Sequence, residues 1–253
     1  MKQKVFLFLI LTFLTTSLIA DEIVLVADEW CPYNCNPLSD NPGFMVEIAE
    51  NAFAKQGHTV KYITLPWARA IANIRDGKYD GIIGTGRNET PEFIFPTTAL
   101  GNATHTFYVK KDNPWRYKGL DSLKEISLGV ISKYSYGKLL DDYIKPNKGG
   151  GKVQTNSGNN ALDRNIQKLS LGRIDALIED KYVFNYYLHS TQSLDEFTDA
   201  GVAYSEKVYI AFSPKIAKSK YYAEILSNAM KELRSNGKLA VILKKYGMED
   251  WRQ

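Results

Sequence analysis

One seven-residue pattern occurs twice in this chain. It reads Gly77-Lys78-Tyr79-Asp80-Gly81-Ile82-Ile83 in the first copy and Gly172-Arg173-Ile174-Asp175-Ala176-Leu177-Ile178 in the second. Each copy follows an apolar stripe at helical spacing: Trp67, Ala70, Ile71 and Ile74 before the first, Leu162, Ile166 and Leu169 before the second. In both copies the glycine falls where a helix stops, and the apolar run after it reads as a buried strand. Helix, turn and strand repeated in the same order point to two lobes built alike. Continuing the alignment sets Gly84 against Glu179 and Thr85 against Asp180, two strand ends expected to face each other across a cleft.

The first strand of the pair runs into the polar loop Gly84-Thr85-Gly86-Arg87-Asn88, and Thr90-Pro91-Glu92 then has the form of a helix start with Thr90 as its cap. Open α/β sheets bind ligands at the carboxyl ends of their strands, and free backbone N–H groups at a helix start suit an anion. Arg87 could fork to a carboxylate or phosphate; otherwise it is a surface arginine on a turn.

The rest of the chain fits the same α/β plan. Glu22–Ala27 reads as a strand, and Trp30 and Tyr33 in the loop after it either stack on a flat or cationic group or cap the core. Pro42-Gly43 opens a helix with Phe44, Ile48 and Ala52 inward, and His58–Leu65 alternates as a second strand. Strand, helix, strand, helix, strand makes a parallel, right-handed unit. Ala103–Lys110 crosses into the second lobe, where the strand Ile126–Ile131, the loop 132–137, the helix Leu139–Ile144 and the strand Val153–Thr155 precede the second repeat copy. Tyr204–Phe212 crosses back, and helices over Tyr221–Ser235 and Lys238–Tyr246 close the chain. Two crossing strands make a hinge. The expected lobes are 21–101 with 206–253, and 102–205.

Lys2 and Lys4, the apolar run Val5–Leu14 and the small residues ending at Ala20 have the form of a cleaved signal peptide over 1–20. The run is short for a membrane anchor, and no cysteine follows the cut to carry a lipid. Loss of the two leader lysines takes the formal net charge from +4 to +2, too balanced to suit nucleic acid or anionic lipid. Cys31 and Cys35 lie close together in an exported chain, which favours a local disulfide; a metal site is the weaker reading, because no histidine lies near them in sequence. The high tyrosine content, 16 residues, suits either a core or the walls of a ligand pocket. No nucleophile elbow, zinc-type histidine pair or Walker loop is present, Gly84-Thr85-Gly86 lacks a third glycine, and His58, His105 and His189 are scattered. These absences weigh against an enzyme, and no cofactor is expected. For an enzyme, Glu179, Asp180 or Glu89 could act as general acid or base.

In order and spacing, GFMVEIAENAFAKQG, GKYDGIIG with TPE after it, LGVISKYSYG, GRIDALIED and NGKLAVILKKYG resemble the family 3 extracellular solute-binding proteins, which include polar amino-acid receptors of ABC importers. The resemblance spans the mature chain. It implies a two-lobed periplasmic binding protein type II fold, a periplasmic monomer, a small polar amino-acid-like ligand and an ABC permease in the inner membrane as partner. The family holds the ligand's α-carboxylate with an arginine after the TPE-like motif, and its amino group with the acid after the GR-D strand. Asp180 matches the second place. The first is Phe93 here, so Arg87, or Arg69 in the PWAR helix, stands in as the candidate. Lys133 occupies the family's glycine before the hydroxyl-bearing loop, which leaves Ser135 as the hydroxyl ligand. The implied site is Asp180, Arg87, Thr85 and Ser135, with Arg69 as a further basic candidate and Trp30, Tyr33 or Trp67 over an apolar face. Arg69 can equally be a solvated helix residue, and Trp67 a core residue. On this reading Asp180→Ala weakens binding and leaves the melting temperature nearly unchanged. The alternatives on the same fold are an enzyme, a lyase or dehydratase of small carboxylic acids, and a sensor acting through a separate membrane partner.

Overall fold

The computed structural model describes residues 20–251; the leader expected over 1–20 lies, but for its last residue, outside the described residues. The strands are β1 (Glu22–Ala27), β2 (Thr59–Thr64), β3 (Gly81–Thr85), β4 (Gly101–Lys110), β5 (Leu128–Ile131), β6 (Val153–Asn156), β7 (Ala176–Asp180) and β8 (Phe197–Phe212). The helices are α1 (Phe44–Ala54), α2 (Trp67–Arg75), α3 (Lys138–Asn147), α4 (Ala161–Ser170), α5 (Lys181–Thr191), α6 (Ser219–Ser235) and α7 (Lys238–Lys245), with a 3-10 turn at Leu120–Glu125. The strands hydrogen-bond in the order β2-β1-β3-β8-β4-β7-β5-β6.

The repeat seen in the sequence is a repeat of topology. β1 runs parallel to β2 and β3, and β3 pairs antiparallel with β8. In the other half β5 runs parallel to β6 and β7, and β7 pairs antiparallel with β4. The register agrees as well: Leu25 lies opposite Gly81, and Leu128 opposite Ala176, the same place in the seven-residue pattern. The shared aspartate explains why. The Asp80 carboxylate accepts from the Val24 N–H at 2.8 Å, and the Asp175 carboxylate accepts from the Ser127 N–H at 2.8 Å, each satisfying a backbone donor at the start of the neighbouring strand. The shared glycine has an equally local cause. Gly77 and Gly172 take φ of 75° and 65°, the left-handed turn that ends α2 and α4 and that a side chain would strain.

Three apolar clusters follow this plan. The largest draws on β1, β3, α1, α2, α6 and α7, with residues from Ile23 to Ala103 and again from Val208 to Met248, and takes in Val183 of α5. The two smaller clusters lie within 107–200. β4 and β8 join the halves and pair with each other from Gly101–Val208 to Lys110–Phe197.

Three features differ from the sequence expectation. Thr90-Pro91-Glu92 starts no helix: Ile94 bridges to Phe212 with N–H···O bonds both ways, which holds this segment extended, and the Thr90 hydroxyl turns inward to Thr85. β8 begins at Phe197, well before Tyr204, because pairing with β4 carries the polar residues Thr198 and Asp199 into the strand. α5 was not foreseen. Its apolar side is Val183, Phe184 and Leu188, and the tyrosines between them blur the helical period.

Candidate functional site

The carboxyl ends of β1, β3 and β5 meet the connecting strands β4 and β8 at one place, a cleft of about 370 Å³ including its mouth. Its lining comes from both halves. The β1 loop supplies Asp28 and Trp30, the start of α2 supplies Trp67, the end of β3 and its loop supply Ile83, Gly84 and Glu89, the β5 loop supplies Tyr134 and Ser135, and the connecting strands supply His105, Glu206 and Val208.

The β1 loop is held rigidly. The Cys31–Cys35 disulfide expected from the sequence is formed, and the loop's carbonyls cap α1: the Phe44 N–H donates to Pro32 O and the Met45 N–H to Tyr33 O, each at 3.0 Å. This close approach requires Gly43. Its φ is 114°, and a Cβ there would lie 2.4 Å from the Asn34 Cα. Tyr33 is fully buried, stacks behind Trp30 at 4.1 Å between ring centroids, and donates its hydroxyl to Asn102 O at 2.7 Å. It supports Trp30 rather than lining the cleft.

Two hydrogen bonds join the halves across the cleft. Trp30 Nε1 donates to Glu179 Oε1 at 2.9 Å, and the Tyr134 hydroxyl donates to Asp28 Oδ2 at 2.5 Å. Trp67 Nε1 donates to Glu89 Oε1 at 2.8 Å, and the Trp67 ring meets that of Tyr134 edge-on at 5.9 Å. Behind Asp28, Trp30 and Tyr134, a smaller recess reaches the Glu179 carboxylate, whose Oε2 is buried without a hydrogen-bond partner. On the connecting strands, Ala103 lies opposite Glu206 and His105 opposite Tyr204, so His105 and Glu206 are diagonal neighbours with Nε2 and Oε1 3.6 Å apart.

The electrostatics are those of acids crowded out of water. Burial pushes Asp28 up to about 7 against its bond from Tyr134, with the charge of Glu179 adding to the shift. Burial pushes Glu89 up to about 8 against its bond from Trp67, with Glu206 adding. Burial likewise pushes Glu179 up to about 7 against the donors Trp30 Nε1 and the Asp180 N–H. For His105, burial pulls the imidazole down, but Glu206 and the field of Asp180 outweigh it and leave it raised. Among the described residues, no lysine or arginine lines the cleft.

The residues proposed from the sequence divide into three groups. Trp30, Trp67 and Ser135 line the cleft. Thr85 and Asp180 are fully buried beside it. Thr85 bonds Thr90 at 3.0 Å and donates to Glu89 Oε2 at 3.2 Å, so it orients Glu89. Asp180 accepts from the Tyr182 and Val183 N–H groups as the cap of α5 and from the Thr104 N–H at 2.7 Å. Arg69 and Arg87 are exposed. Arg87 donates to Pro96 O at 2.6 Å and lies over the rings of Phe95 and Tyr209, so its guanidinium is engaged away from the cleft. Lys133 adopts the left-handed conformation that favours glycine, with φ 68°. Sequence reasoning missed Asp28, Tyr134, His105 and Glu206 as lining residues. Asp28 and Tyr134 sit in strand-end loops and were within reach of the strand-end rule; His105 and Glu206 meet only through the β4–β8 register.

Comparisons with known proteins agree with this architecture. The model of the bacterial extracellular solute-binding proteins, family 3, matches residues 23–249. A protein of Campylobacter jejuni described as "Probable histidine-binding protein" is 26% identical over 230 residues, covering 88% of this chain and 83% of that one. Among solved structures, the arginine-, lysine-, histidine-binding protein of Geobacillus stearothermophilus superposes with a TM-score of 0.73 at 19% identity, covering 91% of this chain and 97% of that one. A histidine kinase sensor domain with similarity to periplasmic binding proteins gives 0.72 at 16% identity, covering 89% and 95%.

Proposed function

Because the chain belongs to the bacterial extracellular solute-binding proteins of family 3, we propose that it captures a small, cationic, amino-acid-like molecule between its two lobes in the periplasm and delivers it to an ABC permease. Its family and structural neighbours are binding proteins and not enzymes, so Glu89 and Glu179 are read as binding and positioning groups. The observation that carries the proposal is the cleft's composition: aromatic walls from both halves and the carboxylates Asp28, Glu89 and Glu206, with no lysine or arginine among the described lining residues. A cation entering between Asp28, Glu89 and Glu206 gains charge-assisted hydrogen bonds worth about 1.5–3 kcal/mol each, and the faces of Trp30, Trp67 and Tyr134 add cation–π attraction of about 0.5–2 kcal/mol. Bridging both halves stabilises the closed form, the only way a ligand can shift a hinge equilibrium.

The test is calorimetric titration with basic, neutral and acidic amino acids and with small guanidines. Basic ligands and guanidines should bind, and glutamate and aspartate should not. A guanidine stays charged throughout, so its affinity should rise between about pH 6 and 8 as Asp28 and Glu89, held up to about 7 and 8, give up their protons. Preference for acidic ligands, or an affinity that falls over that range, refutes the proposal.

A further inference from the structure

The balance of donors and acceptors in the cleft says more about the ligand, given that a small cation is what the lobes capture. An amino acid brings a carboxylate as well as an amine, and a carboxylate needs donors. With the cleft acids ionised, four lining side chains other than His105 carry an N–H or O–H, and each is already spent. Trp30 donates to Glu179, Trp67 to Glu89, Tyr134 to Asp28, and Ser135 to Asp141 Oδ2 at 2.7 Å. Of the two candidate arginines, Arg87 is held by Pro96 O and two rings, and Arg69 is exposed on α2 and is not among the lining residues. Phe93, where the motif would carry an arginine, is buried in the apolar core.

Of the lining side chains among the described residues, His105 remains. Its Nε2 faces Glu206 Oε1 at 3.6 Å, and its Nδ1 is buried without a partner. Once ionised, Asp28, Glu89 and Glu206 outnumber the one imidazole and repel a ligand carboxylate. Acceptors, by contrast, are in surplus, and Glu179 Oε2 is buried without any donor. From this excess of acceptors, spent donors and aromatic faces, we infer that the ligand is an organic amine or guanidine that carries no carboxylate.

Matched pairs differing only in that group test the inference. Agmatine against L-arginine, histamine against L-histidine and cadaverine against L-lysine would each be titrated into the mature protein at pH 8.5, where the cleft acids are ionised. At least one amine should bind about tenfold or more tighter than its amino acid, a difference of about 1.4 kcal/mol. If the amino acid matches or exceeds its amine in every pair that binds, the inference fails while capture of a cation stands. If only neutral or acidic amino acids bind, capture of a cation fails and takes this inference with it. Absence of binding by all three amines at millimolar concentration also overturns it. Mass spectrometry of the molecule retained on purification from the native host is an independent arm: a carboxylate on that molecule contradicts the inference, and a carboxylate-free amine supports it.

Discussion

Glu179→Gln isolates the cost of holding an acid in the seam between the halves. Glu179 is fully buried; its Oε1 accepts from Trp30 Nε1 at 2.9 Å and from the Asp180 N–H at 2.8 Å. Glutamine keeps an oxygen for both donors and places an amide where Oε2 has no partner. Burial lifts the glutamate from 4.5 to about 7, so the folded chain binds a proton more tightly than the unfolded chain. The penalty of ionising it is absent below about pH 4.5, grows as pH rises, and is complete above about pH 7. At 1.36 kcal/mol per unit, the wild type should lose about 2.5 kcal/mol relative to the variant between pH 5 and 8. In a chain of this size that corresponds to a difference in melting temperature widening by about 5–10 °C. Calorimetric melts of the ligand-free proteins at half-unit pH steps would measure it. Two parallel curves across pH 5–8 would refute the reasoning, because they would mean that Glu179 ionises in the fold as easily as in water.

Two further substitutions separate support from binding. Arg87→Ala removes a charge-assisted bond to Pro96 O and two ring contacts, and should cost about 1–2 kcal/mol of stability with ligand affinity unchanged; a tenfold loss of affinity would put the guanidinium in the site after all. Asp180→Ala should lower the melting temperature markedly, contrary to the expectation from sequence alone. It removes the cap of α5, worth about 0.5–2 kcal/mol, and leaves the Thr104 N–H without its acceptor; an unchanged melt would refute this.

The parts of the fold legible in the sequence are those with local causes. Gly77 and Gly172 end helices because the turn is left-handed, and Asp80 and Asp175 recur because each satisfies the same strand N–H. The disulfide spans a short loop and was equally visible. At the site, Trp30 and Ser135 were legible because they lie in loops at strand ends, and Trp67 because it starts the helix beside them. Arg87 misled for a physical reason. It lies in the strand-end loop, but a long side chain takes whichever carbonyl and ring faces are near, and here they lie outside the cleft.

The sequence by itself determined the paired α/β halves and their crossings, because periodicity, glycine turns and the repeated aspartate act within a few residues of one another. Only the tertiary structure decided which side chains share the cleft. Trp30 and Glu179 are 149 positions apart, and His105 meets Glu206 only through the register of β4 against β8. The cleft's electrostatics arise the same way: a carboxylate's affinity for its proton depends on the water and charges around it, and those are assembled by folding.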